Sequence, residues 1–149
     1  MVDVKYRVGV WRTLIDVIHA QKPWMNAIAE EFGMTPQMAQ ALHLLPMPGS
    51  LTMKELAVQM WCDASNVTGV IDRLEARGFV ERRLSEADRR MKCVLLTTAG
   101  KRLRRKLDER FNESPPAIAA LSDGDKKTLR EILERALDHA AKQRSERSD

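Results

Sequence analysis

Residues 63–82 read Asp63-Ala64-Ser65-Asn66-Val67-Thr68-Gly69-Val70-Ile71-Asp72-Arg73-Leu74-Glu75-Ala76-Arg77-Gly78-Phe79-Val80-Glu81-Arg82. Two periods meet in this stretch. Val67, Ile71 and Leu74 recur at spacings of four and three, which is one face of a helix. Gly78 is placed to end that helix in a left-handed conformation. Beyond it the period becomes two. Phe79 to Leu84 reads as a strand, Lys92 to Thr97 as its partner, and Ser85 to Met91 as the charged tip between them.

Upstream, Thr52-Met53-Lys54-Glu55 is a capping box that opens a helix with Leu56, Ala57 and Met60 facing inward. Trp61-Cys62-Asp63 is a short turn, and Asp63 is suited to cap the helix that follows. Two short helices, a tight turn and a hairpin are the parts of a winged helix-turn-helix. A helix fits the major groove and offers its N-terminal side chains to base edges. A cationic hairpin tip beside it can reach the adjacent minor groove. Ser65, Asn66 and Thr68 lie off the apolar face near the start of the helix and are short polar groups suited to base edges. Ser and Asn also favour helix starts for capping reasons alone.

The rest of the chain reads as helices around this centre. Val4, Val8, Trp11, Ile15 and Ile18 form one apolar face of a first helix, and Val10, Leu14 and Val17 widen it, so the helix is expected to be covered on two sides. Pro23 stands in the first turn of a second helix, which Gly33 ends. Thr35-Pro36 opens a third, with Met38, Ala41, Leu42 and Leu45 inward, and Pro46-Met47-Pro48-Gly49 stops it. Thr98 is read as the cap of a long basic helix through Leu103 and Leu107 towards Phe111, broken at Pro115-Pro116. Ser122-Asp123-Gly124-Asp125 starts a last helix with acids at its positive end and an apolar stripe from Leu129 through Ile132, Leu133, Ala136 and Leu137 to Ala140.

The 149 residues are 44% hydrophobic and 31% charged, ordinary usage for one globular domain. The polar tail from Lys142 to Asp149 is expected to fray. The start, Met1 to Arg7, carries charge where a signal peptide needs an apolar stretch, and no run reaches membrane-span length, so a cytoplasmic protein without membrane contact is expected. Cys62 and Cys93 lie in no CxxC and are expected to stay reduced. The net charge is +4, and cations crowd between Arg73 and Arg110 as expected where phosphates are met.

The chain resembles the MarR family, the multiple-antibiotic-resistance-type regulators of bacteria. The resemblance runs through Leu51 to Ala57, Asp63 to Arg82, Asp88-Arg89-Arg90, and Leu95-Leu96-Thr97-Thr98-Ala99-Gly100. The first 34 residues and the last 45 match only by helix pattern and position. The resemblance implies a mostly α fold with a small β-hairpin wing: a winged helix-turn-helix plus N- and C-terminal helices that form a dimerisation base. Residues 1–34 would be N-terminal dimerisation helices, 35–100 the DNA-binding region, and 101–149 the connecting helix and the C-terminal dimerisation helix, within one structural domain. It further implies a transcriptional regulator, usually a repressor, that meets a pseudo-palindromic operator in double-stranded DNA as a homodimer. By the same resemblance Arg90 enters the minor groove, Asp88 holds the Arg90 guanidinium and braces the turn, and Arg89 meets a phosphate. Arg73 joins the phosphate candidates. Gly69 departs from the family, where many members carry a longer, often basic side chain. Readout then leans on Ser65, Asn66 and Thr68, or Gly69 admits a close backbone approach to DNA.

Family members often release DNA when a small aromatic acid or other amphipathic compound binds. Trp11, His19, Trp24 and His43 are candidates for such a pocket, although Trp11 also fits the core stripe. The alternative is a redox-responsive regulator working through Cys62, just before the recognition helix, or Cys93. His19, His43 and His139 have no metal-ligand spacing, and no cofactor is expected. There is no glycine-rich phosphate loop, G-x-S-x-G elbow or triad, so the chain is not expected to be an enzyme.

Overall fold

The computed structural model describes residues 4–85 and 88–146. Expectations for residues 1–3, 86–87 and 147–149, and for the side chains of Val4 and Val8, lie outside the described residues. The chain divides into two compact units, Met1–Glu113 and Ser114–Asp149.

The first unit begins with α1 (Val4–Ala20), α2 (Lys22–Glu31) and α3 (Pro36–Leu44). Gly33, at φ 63°, turns the chain out of α2. Thr35 caps α3, its Oγ1 accepting the Met38 N–H at 3.3 Å. There follow β1 (Leu51–Thr52), α4 (Met53–Met60), α5 (Ala64–Ala76), β2 (Val80–Leu84), β3 (Lys92–Leu96) and α6 (Thr98–Phe111). The hairpin is thus part of a three-stranded antiparallel sheet in the order β1-β3-β2. The register pairs Val80 with Leu96, Arg82 with Val94 and Leu84 with Lys92, while Leu51 sits opposite Val94. The two-residue strand β1 is too short to carry a period of its own.

From α2 to α6 the core is where the apolar periods placed it. Leu42, Leu45, Leu56, Val67, Ile71, Leu74, Val94 and Leu107 are fully buried, and no polar or charged residue is buried among the described residues. Two local readings are corrected. Thr97, not Thr98, is the N-cap of α6: its Oγ1 accepts the Gly100 N–H at 3.0 Å and donates to the Gly78 carbonyl at 2.6 Å. Leaving the strand one residue earlier lets that hydroxyl serve both the helix and the α5–β2 turn. Asp63 has the extended backbone of an N-cap, but its side chain makes no capping bond.

The capping box of α4 is complete. Thr52 Oγ1 accepts the Glu55 N–H at 3.2 Å, and Glu55 Oε2 accepts both the Thr52 N–H at 2.7 Å and its hydroxyl at 2.8 Å. The Thr52 main-chain N–H, and then its hydroxyl, hold the Glu55 carboxyl below its ordinary 4.5. A carboxyl depressed by folding contributes stability that is fully present above the unfolded value and is lost as pH falls through the folded one. The difference in Tm between the wild type and Glu55→Gln should therefore shrink as pH is lowered from neutrality to about 3. A gap that stays constant would show that the charge contributes nothing.

The second unit holds α7 (Pro116–Ala119) and α8 (Asp123–Glu146). A short helix thus forms where the sequence indicated only a break, because Pro suits a first helical turn. Ser122 Oγ accepts the Asp125 N–H at 3.1 Å at the start of α8. Leu129 is half-buried in this chain, whereas Ile132, Leu133 and Leu137 are exposed. In the first unit, Val10, Trp11 and Ile18 of α1 are also exposed while Leu14, Ile15 and Val17 are half-buried, so the described residues leave much of the two-sided face expected for that helix uncovered.

Candidate nucleic-acid interface

Helix α5 buries Val67, Val70, Ile71 and Leu74 and turns the opposite face outward. Ser65, Asn66, Thr68, Asp72 and Arg73 are exposed on it, and Gly69 is half-buried. The Thr68 hydroxyl donates to the Ala64 carbonyl at 2.9 Å, which engages its only donor and leaves its oxygen as an acceptor. The residue ahead of Cys62 is unusual. Trp61 ends α4 in the left-handed region at φ 54° and is 87% exposed. Nothing in the sequence marks it, since Gly is the usual occupant of such a position.

The wing is tied to α5 by Arg82. Its Nη2 donates to Asp72 Oδ1 at 2.6 Å, its Nη1 pairs with Glu75, and its main-chain N–H donates to Glu75 Oε1 at 3.1 Å. Burial disfavours the Arg82 charge, but the hydrogen bonds to Asp72 and Glu75 outweigh it and raise its pKa above the ordinary value. Arg82 therefore fixes the angle between the hairpin and the helix.

The tip of the wing closes through the main chain. Ser85 N–H donates to the Met91 carbonyl at 2.8 Å and Met91 N–H to the Asp88 carbonyl at 2.9 Å. Asp88 Oδ1 accepts the Arg90 main-chain N–H at 2.9 Å. Asp88 thus braces the turn as expected. It does so through the backbone of Arg90, since a short carboxylate reaches the amide two residues on more readily than a guanidinium. Arg89 and Arg90 are exposed and form no ion pair among the described residues.

The cations of the basic region divide by what they touch. Arg77 donates to the Gly33 carbonyl at 2.7 Å and lies 5.1 Å from the Phe79 ring centroid. Arg83 pairs with Glu81 at 2.5 Å. Arg104, 14% exposed, binds Asp108 and donates to the carbonyls of Leu42 and Leu45 at 2.8 and 2.7 Å, which satisfies the end of α3. Arg110 bridges Glu31 and Glu113, and the hydrogen bond from Arg110 lowers the Glu31 pKa. Arg77, Arg104 and Arg110 are thus occupied in holding the fold, whereas the Arg83 pair lies at the surface. Arg73, Arg89, Arg90, Lys101, Arg102, Arg105 and Lys106 are exposed and have no ion-pair partner among the described residues.

Of the pocket candidates, two are brought together. The rings of Trp24 and His43 both meet Phe111 edge-on, at centroid distances of 6.2 and 5.9 Å, and His43 Nδ1 lies 2.8 Å from Asp108 Oδ1. Trp11 and His19 are exposed on α1 and make no ring contact with this cluster. Cys62 is half-buried and Cys93 buried, its thiol 3.4 Å from the Arg83 carbonyl. No group of three or more metal-ligating side chains occurs among the described residues, and none of their helices is long and apolar enough to cross a membrane.

A MarR family model matches residues 26–92. The uncharacterized HTH-type transcriptional regulator YfiV of Bacillus subtilis (strain 168) is 40% identical over 112 residues, covering 72% of this chain and 69% of that protein. The transcriptional repressor MprA of Escherichia coli (strain K12) is 35% identical over 89 residues, covering 59% of this chain and 51% of MprA. The crystal structure of wild-type MarR from E. coli, in its apo form, superposes with a TM-score of 0.76 at 21% identity, over 92% of this chain and 98% of that one. The fold, the helix-turn-helix with its wing and these likenesses agree: the chain belongs to the MarR family of DNA-binding transcriptional regulators and is not an enzyme.

Proposed function

We propose that the protein is a cytoplasmic repressor that binds a pseudo-palindromic operator as a homodimer and lets go when a small amphipathic or aromatic acid binds. The observation that carries the DNA half is the outward face of α5, polar and free of large apolar groups, joined through Arg82 to a wing whose Arg89 and Arg90 are unpaired among the described residues. In this reading Ser65, Asn66 and Thr68 meet base edges, Arg73 and Arg89 meet phosphates, and Arg90 enters the minor groove. The dimer is supported by the apolar faces of α1 and α8, with Trp11 61% and Leu137 69% exposed, surfaces that a second copy would cover. Repression is supported by the 35% identity to MprA, whose name records that role. The effector would meet the Trp24, His43 and Phe111 cluster, where aromatic rings stand beside a histidine.

The test is in vitro selection from duplexes with a randomised core, followed by titration of the recovered duplex at several salt concentrations. Binding should weaken steeply with salt, and the selected sites should carry two half-sites about 10 bp apart. Salt-independent binding, or no selected consensus, would overturn the reading. For release, an aromatic acid such as salicylate should free the duplex from wild type and Cys62→Ser alike. Loss of binding on peroxide treatment in wild type but not in Cys62→Ser would instead establish the redox alternative.

A further inference from the structure

Gly69 stands in the middle of α5, and nothing among the described residues requires a glycine there. Its φ is not positive, and a Cβ built on it would meet no atom within 4 Å. Alanine would fit the fold, and glycine inside a helix costs stability relative to alanine. The glycine leaves space outside the chain. It lies on the wall of a hollow of about 400 Å³ between α5 and the start of α3, rimmed by Thr35, Gln37, Ser65, Asn66 and Arg73. None of the lining residues is acidic, and Arg73 has no ion-pair partner among the described residues.

We infer that Gly69 is a specificity-determining position: its missing side chain lets the backbone of α5 seat against the DNA, deep enough for short side chains to read base edges. This rests on the proposed function and assigns a role to one residue within it. Ser65 lies one turn before Gly69 on the same outward line of the helix. Ser65 and Asn66 are short, and their hydrogen bonds hold only over about 2.7–3.2 Å. Where the Gly69 backbone is the point of contact, a Cβ there adds up to roughly 1.5 Å of standoff along that line. That lengthens the base contacts beyond their range, whereas the long, flexible lysines and arginines still reach phosphates. The DNA strand at the groove edge would then occupy the hollow beside Arg73.

The experiment compares wild type with Gly69→Ala, using the duplex selected by wild type and a randomised duplex of equal length. The variant should melt about 2 °C higher. It should bind the selected duplex at least about tenfold more weakly and the randomised duplex within about twofold of wild type. Equal or tighter binding of the selected duplex overturns the inference and leaves the proposed function standing. So does a parallel loss on both duplexes, or a lower Tm, since either would mean that Gly69 serves the fold. If wild type itself does not prefer the selected duplex, the proposed function fails and this inference falls with it.

Discussion

Gly100→Ala should destabilise the protein by about 3 kcal/mol, the upper end for overpacking a close contact. At this chain length that lowers Tm by about 10 °C. A Cβ on Gly100 would stand 1.9 Å from the Phe79 carbonyl oxygen, 2.9 Å from its carbon and 3.3 Å from Leu96 Cδ2. The first two are backbone atoms, which have no rotamer to escape into. The same Phe79 oxygen accepts the Thr97 N–H at 3.1 Å. Relief therefore means lifting the start of α6 off the turn that joins α5 to β2, and the bonds from Thr97 to Gly78 and from Gly100 to Thr97 would loosen together. Fully buried Leu107, further along α6, ties that movement to the core. Urea and thermal melts of the single variant decide it. A cost below about 1 kcal/mol would mean that the approach is looser than the structure draws it. Gly69→Ala is the natural control, the same substitution on another helix with the opposite expected sign.

Comparing the two glycines shows what the sequence alone could reveal. Both sit at helical positions, and neither pattern nor propensity separates them; only the Phe79 carbonyl, twenty-one residues before Gly100, does. Local devices were legible. The capping box at Thr52, the cap at Thr35 and the left-handed glycines at 33 and 78 depend on atoms within a few residues of each other. The buried face of α5 was legible for the same reason, since one helix period decides it. The partition of the basic region was not. Arg104 reaches carbonyls 62 and 59 residues away, and Arg82 reaches Glu75 and Asp72 across a strand-to-helix corner. A row of cations reads alike whether its members hold the fold or face solvent, and only the tertiary placement of their partners sorts them. The apolar faces of α1 and α8 illustrate the opposite case: the pattern was plain, and the single chain leaves much of it bare. The hydrophobic period reports that a face is to be covered and is silent on whether the cover comes from the same chain.

Arg90→Ala is expected to weaken binding to the selected operator by about ten- to a hundredfold, and Arg89→Ala by less. The difference follows from how the wing tip is built. Asp88 fixes the Arg90 amide at 2.9 Å, and the Ser85–Met91 and Met91–Asp88 bonds close the turn around it, so the main chain that carries Arg90 is held before DNA arrives. A braced turn removes the backbone part of the ordering cost when the guanidinium enters a narrow minor groove, whose negative potential favours it most where the flanking sequence is rich in A·T. Arg89, beside it, is read as a phosphate contact, so its loss should act almost evenly across sequences and reduce the slope of log K against log salt by about one. Replacing A·T by G·C in the operator flanks should therefore cost wild type and Arg89→Ala alike but leave Arg90→Ala nearly indifferent. Asp88→Ala keeps both cations and removes only the brace, so it should fall between wild type and Arg90→Ala while retaining the flank preference. Fluorescence anisotropy on the four duplex and variant combinations for Arg90 would decide it: if Arg90→Ala still discriminates between A·T and G·C flanks as wild type does, Arg90 does not enter the minor groove.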